Sequence, residues 1–246
     1  MGSVVWKFLR ASFQAAISFR GEMLFGGISM LVTNMTFFIP IYLVAVKYGS
    51  LGGFAPELIK VGLAISMATF VIGINFFSGV RELQGYILNG RFDHLLLRPI
   101  SVYKHILLAR INTYTLGEVL TLIIFVAWND PMYYPLIFVS GIIGGILFNH
   151  VVLLSSLTPF FFNQHVSHTL FDTIITSSIY PPTVFPSVAK FISLYVFMGG
   201  LVTYGGLMAY QNPAFWFVFI GFTVAVVAIT QTLLHIGMKR YTSGGY

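Results

Sequence analysis

The side chains able to do chemistry are few, and most sit where they are expensive. Seven acidic residues and six histidines occur in 246 residues. Glu118 falls inside the apolar run 111–128, the pair Asn149-His150 inside the run 135–157, and Asp172 midway along the run 166–180 with His168 one turn before it. Asn34 and Asn75 fall in two earlier runs. A charged group at the centre of a bilayer costs about 2.5–3.5 kcal/mol on insertion scales, so such residues are candidates for function. Asn34, Asn75, Glu118, His150 and Asp172 could therefore line a substrate pathway or relay protons. The competing reading is helix-to-helix hydrogen bonding, with Glu118 and His150 as a conceivable interhelical pair. His165 and His168 are three residues apart but lack a nearby carboxylate or third ligand, so no metal site is expected. Cysteine is absent, which excludes disulfides, thiolate metal sites and cysteine nucleophiles. No G-x-x-x-x-G-K-[ST] run is present, so no loop cradles a nucleotide phosphate. The chain is expected to be no enzyme and to carry no cofactor.

The elements that must position these residues follow from composition. The chain is 57% hydrophobic and 8% charged, with a mean hydropathy of +0.87. Soluble domains carry about 25% charged residues, so the solvent around this chain must be lipid. A helix needs about 20 apolar residues to cross the hydrocarbon core, and the chain could hold about six. The expected fold is all-α and polytopic, a single transmembrane domain over 1–246. The net charge of +6 does not point to nucleic acid, because most basic residues flank apolar runs, as the positive-inside rule requires.

Residues 4–20 place Lys7, Arg10, Gln14 and Ser18 at helical spacing beside Trp6, Leu9, Phe13 and Ile17. A narrow basic stripe on a broad apolar face suits a helix lying in the membrane interface. The spans are predicted at about 23–46 (with Pro40 inside), 58–80, 111–128, 135–157, 166–180 and 213–238. Asn129-Asp130-Pro131 marks a tight turn. Trp128, Tyr133, Tyr134 and Tyr180 lie at span ends, where interfacial aromatics belong. Gly141 and Gly145 form a small-xxx-small pair that permits close helix packing, within the chain rather than between chains. Pro181, Pro182 and Pro186 break the backbone after the fifth span, and 188–210 is apolar but rich in glycine. For 181–210 the expectation is a pair of short helices re-entering the membrane from the outer side, with a seventh crossing as the rival.

With six crossings and the N-terminus inside, Lys7, Arg10, Arg20, Arg81, Arg91, Arg98, Lys104, Arg110, Lys239 and Arg240 all face the cytoplasm. Only Lys47, Lys60 and Lys190 face outward. Both termini are then cytoplasmic.

The segment 81–110 is long for a connection between spans, and it is amphipathic. Phe92, Leu95, Leu96 and Leu97 stand among Arg91, Asp93, His94 and Arg98. Asn89-Gly90 supplies a turn, and Pro99 biases Arg98 out of the helical region. The expected product is a short helix across the inner membrane face. It could be a lever pushed by a soluble partner, or an anchor for the loop; the residues alone do not choose.

The run Gly90-Arg91-Phe92-Asp93-His94-Leu95-Leu96-Leu97-Arg98-Pro99-Ile100-Ser101 resembles the G-x-hydrophobic-D-x-L-L-L-R-P signature of permease subunits of the type-2 ABC exporter family. It follows the second span, where that family has its coupling helix. An amphipathic start, about six spans, the Tyr180-Pro181-Pro182 and Phe185-Pro186 breaks and a basic tail extend the resemblance along most of the chain. The stretch Val196-Phe197-Met198-Gly199-Gly200-Leu201 departs from it, since related permeases commonly have a proline there. The resemblance implies a separate ATPase subunit binding ATP and Mg and docking on Gly90–Pro99, and a second permease, identical or homologous. It implies export of a hydrophobic or amphiphilic substrate across the plasma (inner) membrane by alternating access.

Two other classes compete. A proton-coupled secondary transporter would use Glu118, His150 and Asp172, and should show internal repeats with matching broken helices. The two halves differ in loop length and polarity, so none is convincing. An intramembrane enzyme should gather ionisable groups near one face, and the acids here are scattered.

Overall fold

The computed structural model describes residues 20–98, 100–108, 115–162 and 167–241, together with Trp6, Arg10, Ala11, Gln14 and Ser18; at 74, 76, 115–116 and 167–171 only the backbone is described. All regular elements among these residues are helical, apart from one isolated bridge between Leu51 and Phe54. The five positions in the N-terminal arm are helical and exposed, and the Ser18 hydroxyl donates to the Gln14 carbonyl at 2.8 Å.

Among the described residues, four helices are long and apolar enough to cross a membrane. The first, α1 (Arg20–Tyr48), runs through Pro40 as one helix. Next, α2 (Pro56–Phe70) opens with proline in its first turn, where the missing N–H would have had no partner anyway, and with an ion pair between Glu57 and Lys60. It passes into a π-helical turn, Val71–Phe76, and a 3₁₀ turn, Ser78–Glu82. Three short helices follow: α3 (Leu83–Leu88), α4 (Asp93–Leu96) and α5 (Val102–Leu108). Then comes α6 (Thr115–Ala127), which the 129–131 turn connects to α7 (Tyr134–Ser156). In that turn Asp130 accepts from the Met132 N–H at 2.9 Å, and the Asn129 amide donates to the Phe125 carbonyl at 2.7 Å and the Lys60 carbonyl at 3.2 Å. After α8 (Ser167–Ser178), α9 (Ser187–Phe191) continues as a π turn, Ile192–Val196, and α10 (Gly199–Gln211) leaves at 99° to it. The last span is α11 (Phe215–Arg240), with Lys239 and Arg240 in its final turn, where cations offset the helix dipole.

Two features depart from the expected elements. The span over 58–80 is not α-helical throughout, because its C-terminal part widens into the π turn. Gly73 lies there against α7: a Cβ on it would fall 2.9 Å from the Gly145 carbonyl oxygen. The segment 81–110 is three short helices rather than one.

The core is built by close approach of backbones. Gly141 packs on Ala68, and Gly145 on Ile72, where a Cβ would come within 2.7 Å of the Ile72 side chain. Gly144 meets the Val202 carbonyl, and Gly206 meets the Ser140 side chain. The expected small-residue pair on α7 thus packs within the chain, bringing α2, α7 and α10 together. Lipid tails are as apolar as leucine, so dispersion contacts of this kind, rather than hydrophobicity, hold membrane helices together. The bend before α10 falls at Met198, whose φ of +61° is the one left-handed backbone among described non-glycine residues.

Aromatic side chains cluster at the end of the bundle that holds the 49–55 and 129–131 turns. Trp128 packs edge-on against Tyr42 with ring centroids 4.5 Å apart, and Lys60 lies over the Trp128 ring. Tyr133 and Tyr210 meet at 5.9 Å.

Candidate functional site

The segment between α2 and α6 is anchored from inside and bare outside. Gly90 makes its entry turn with φ +65°. Nothing lies within 4 Å of where its Cβ would be, so conformation alone calls for glycine there. The turn aims Phe92 inward, fully buried, against Phe160 at 5.2 Å and Tyr241 at 4.8 Å, both edge-on. This arrangement joins the segment to the end of α7 and to the residue after α11. Leu95 is buried one turn on. Asp93 reaches the Tyr241 side chain, and burial together with this carboxylate pushes the Tyr241 hydroxyl pKa up.

The opposite face carries Arg91, His94, Leu96, Leu97 and Arg98, all exposed. Leu97 is 82% exposed, an apolar knob next to Arg98 in the sequence. Arg98 turns back to His105, with Nη1 and Nε2 3.2 Å apart. Burial, then the neighbouring guanidinium, lowers the His105 pKa. Pro99 lies outside the described residues.

A second tie runs from this segment into a span. The Tyr103 hydroxyl lies 3.0 Å from His150 Nε2, and His150 Nδ1 lies 2.8 Å from the Ile146 carbonyl. A carbonyl only accepts, so Nδ1 holds the proton and Nε2 accepts from Tyr103 in the neutral ring.

The polar residues of the spans do not form one cluster. The Asn34 amide donates to Glu118 Oε2 at 3.1 Å and to the Thr121 hydroxyl at 3.3 Å. This site is buried between α1 and α6, beside the point where Gly117 meets the Gly27 carbonyl. Glu118 and His150 are therefore not a pair, because Glu118 faces α1 while His150 faces α5. The Asn149 amide donates to the Gly73 and Phe77 carbonyls, both at 3.1 Å, and so caps carbonyls of the π turn. Asn75 is buried in that same turn. Asp172 is exposed on α8. His165 and the His168 side chain lie outside the described residues, and among the described residues no three metal-binding side chains gather.

A family model for the ABC-2 family transporter protein matches residues 29–245. The chain belongs to the ABC-2 transporter family. It is accordingly an integral membrane transport component of ABC type, and permeases of this family in general work with an ABC ATPase. No curated protein and no solved structure matches the chain.

Sequence reasoning missed the receivers of Phe92. Phe160 and Tyr241 are separated from it by 68 and 149 positions in the sequence, and no spacing rule connects them. Tyr103, the partner of His150, was equally hidden. The π turn had one signal: Asn149 stands in an apolar run, and a buried amide needs carbonyls to bond.

Proposed function

We propose that this chain is the membrane-spanning subunit of an ATP-driven exporter, gripped at Gly90–Pro99 by a separate ATPase that binds ATP and Mg. One observation carries the reading. The turn around Phe92 is fixed to the bundle through Phe160 and Tyr241, yet it presents Leu97, Arg91, His94 and Arg98 outward. A lever needs both a rigid root and a free contact surface. Force on Leu97 would pass through Phe92 to the ends of α7 and α11, and through Tyr103 to His150 within α7.

In this reading α1, α2 with its π turn, α6 with the residues before it, α7, α8 and α11 are six crossings. The bent pair α9–α10 re-enters from the outer side. The segment 81–110 and both termini are cytoplasmic, in the plasma (inner) membrane. A second permease, identical or homologous, completes the pathway, and a hydrophobic or amphiphilic substrate moves outward by alternating access. Proton-coupled transport through Glu118, His150 and Asp172 gains no support: the first bonds Asn34, the second Tyr103, and the third lies exposed.

Leu97→Asp tests the proposal. The variant should keep the bundle folded, since Leu97 is almost free of contacts, while losing copurification of the ATPase and ATP-dependent transport. Charge reversal at Arg98 should act in the same direction. Reversal at Asp93 should do more, because it also releases Tyr241. Transport that persists with no ATPase present would refute the reading.

A further inference from the structure

Beside the inner half of α7 lies a cavity of about 460 Å³, within the range of small-molecule sites. Val151 and Leu154 of α7, Ile174 of α8 and Leu233 of α11 form its walls. Its two ends can be placed from glycine contacts. Gly144 meets the Val202 carbonyl, and a Cβ on Gly199 would fall 2.5 Å from the Ile174 carbonyl. The bend at Val196–Met198, which lines the cavity, therefore lies beside the middle of α7. A Cβ on Gly237 would fall 2.5 Å from the Phe160 ring, so Phe161 and Phe162, which also line it, stand by the last turns of α11. The long axis runs along the bundle, from mid-span to the basic end. Val151 and Thr158 alone bracket about 10 Å of helix.

The described wall offers water little. Among the described residues no lining side chain is charged. Its two hydroxyls are turned back into their own helix: Ser155 donates to the Val152 carbonyl at 2.7 Å, and Thr158 to the Ser155 carbonyl at 2.8 Å. A buried water needs two to four polar partners. The occupant is therefore apolar, and the apolar medium around these helices is lipid. The mouth is different. The Arg240 guanidinium lies over the Phe161 ring, 5.4 Å from its centroid, with Lys239 adjacent in sequence. Cations at the rim of an apolar slot suit an amphiphile with an anionic head.

We infer that this cavity binds an acyl chain of an anionic phospholipid, tail toward the Met198 bend and phosphate against Arg240. The site needs the spans to lie in a bilayer, but it does not need the ATPase, so it stands apart from the coupling reading. The full chain, with whatever subunits copurify, is reconstituted with phosphatidylglycerol carrying a photoreactive diazirine in one acyl chain, or with the matching phosphatidylcholine. Cross-linked peptides are then mapped by mass spectrometry. Adducts should concentrate at least threefold on 151–158, 174 and 196–198 over the exposed α1 positions Phe25 and Val32. The anionic probe should label the cavity at least threefold more than the choline probe. Leu154→Phe and Ile174→Trp, each kept only if it melts like the parent, should lower cavity labelling several-fold. Arg240→Gln should abolish the headgroup preference and leave labelling in place. Equal labelling by both lipids, adducts no denser than on α1, or labelling unmoved by either filling variant would overturn the inference. The parent has no cysteine, so Leu154→Cys gives a water test. Rapid modification by a small charged thiol reagent would mean a wet cavity and would also overturn it.

Discussion

The inner helices α2 and α7 and the outer helices α1 and α11 are built from equally apolar sequence and do opposite things. Mean hydropathy is 1.5 and 2.2 for the windows in Pro56–Gly73 and Pro131–Phe160, against 1.8 and 2.2 for those in α1 and α11. Yet 72% and 67% of the first two windows are buried, against 22% and 28% of the second two. Hydropathy therefore says that a helix is in the membrane, not what it faces there. Part of the difference lies in small residues. Gly141, Gly144 and Gly145 on α7 and Gly206 on α10 each touch a neighbouring helix, whereas a side chain at Gly221 on α11 would meet open space. The inner helices form a block whose parts cannot shift without collision. The outer helices keep broad faces exposed.

Substitutions separate the two kinds of helix. The largest effect is expected where the 81–110 segment joins the block. Phe92→Ala should cost about 3–5 kcal/mol, the range for a buried aromatic, read as a lowered melting temperature and early proteolysis within 81–110. Gly144→Leu should follow at about 1–3 kcal/mol or more, the cost of overpacking, because the Val202 carbonyl is backbone and cannot swing aside. Asn34→Leu loosens only an outer helix. It should cost about 1 kcal/mol, from two interhelical hydrogen bonds at a mean of about 0.6 kcal/mol each in a membrane, seen as a small melting shift with α1 more open to protease. Gly221→Leu should change stability by less than about 0.5 kcal/mol. A large loss there would mean that α11 is covered in the assembled protein, and the contrast between inner and outer helices would need redrawing.

The 81–110 segment adds a pH test. His105 has its pKa lowered by burial and by Arg98, so the folded segment disfavours the protonated ring. Above the ordinary histidine value, about 6.5, the ring is neutral in both states and nothing is lost. As pH falls below it, the unfolded chain takes up the proton more readily, and stability declines until the lowered folded value is reached. Melting followed from pH 8 to 5 should show this decline, and His105→Gln should flatten it.

Much of the chain was legible because membrane spanning leaves a coarse signal. Twenty apolar residues between polar breaks have few alternatives, so α1, α7 and α11 fall within a few residues of their predicted bounds. The Asn129–Pro131 turn follows from local chemistry. Helices whose internal bonding yields to a neighbour were harder to read. The π turn at Val71–Phe76 exists where Gly73 meets α7 and Asn149 takes up the carbonyls, and neither contact is local.

Composition and the Gly90–Pro99 run by themselves determined that the chain lives in lipid, that it is helical, and which segment stands out from the bundle. Hydrophobic length and turn chemistry act over a few residues, so they are written in order along the chain. Only the tertiary structure decided that Glu118 answers Asn34, that His150 answers Tyr103, and that Phe92 is held by Phe160 and Tyr241. These pairings join residues 47 to 149 positions apart, and in an apolar solvent a polar or aromatic group takes whichever partner the packing of small residues brings within reach.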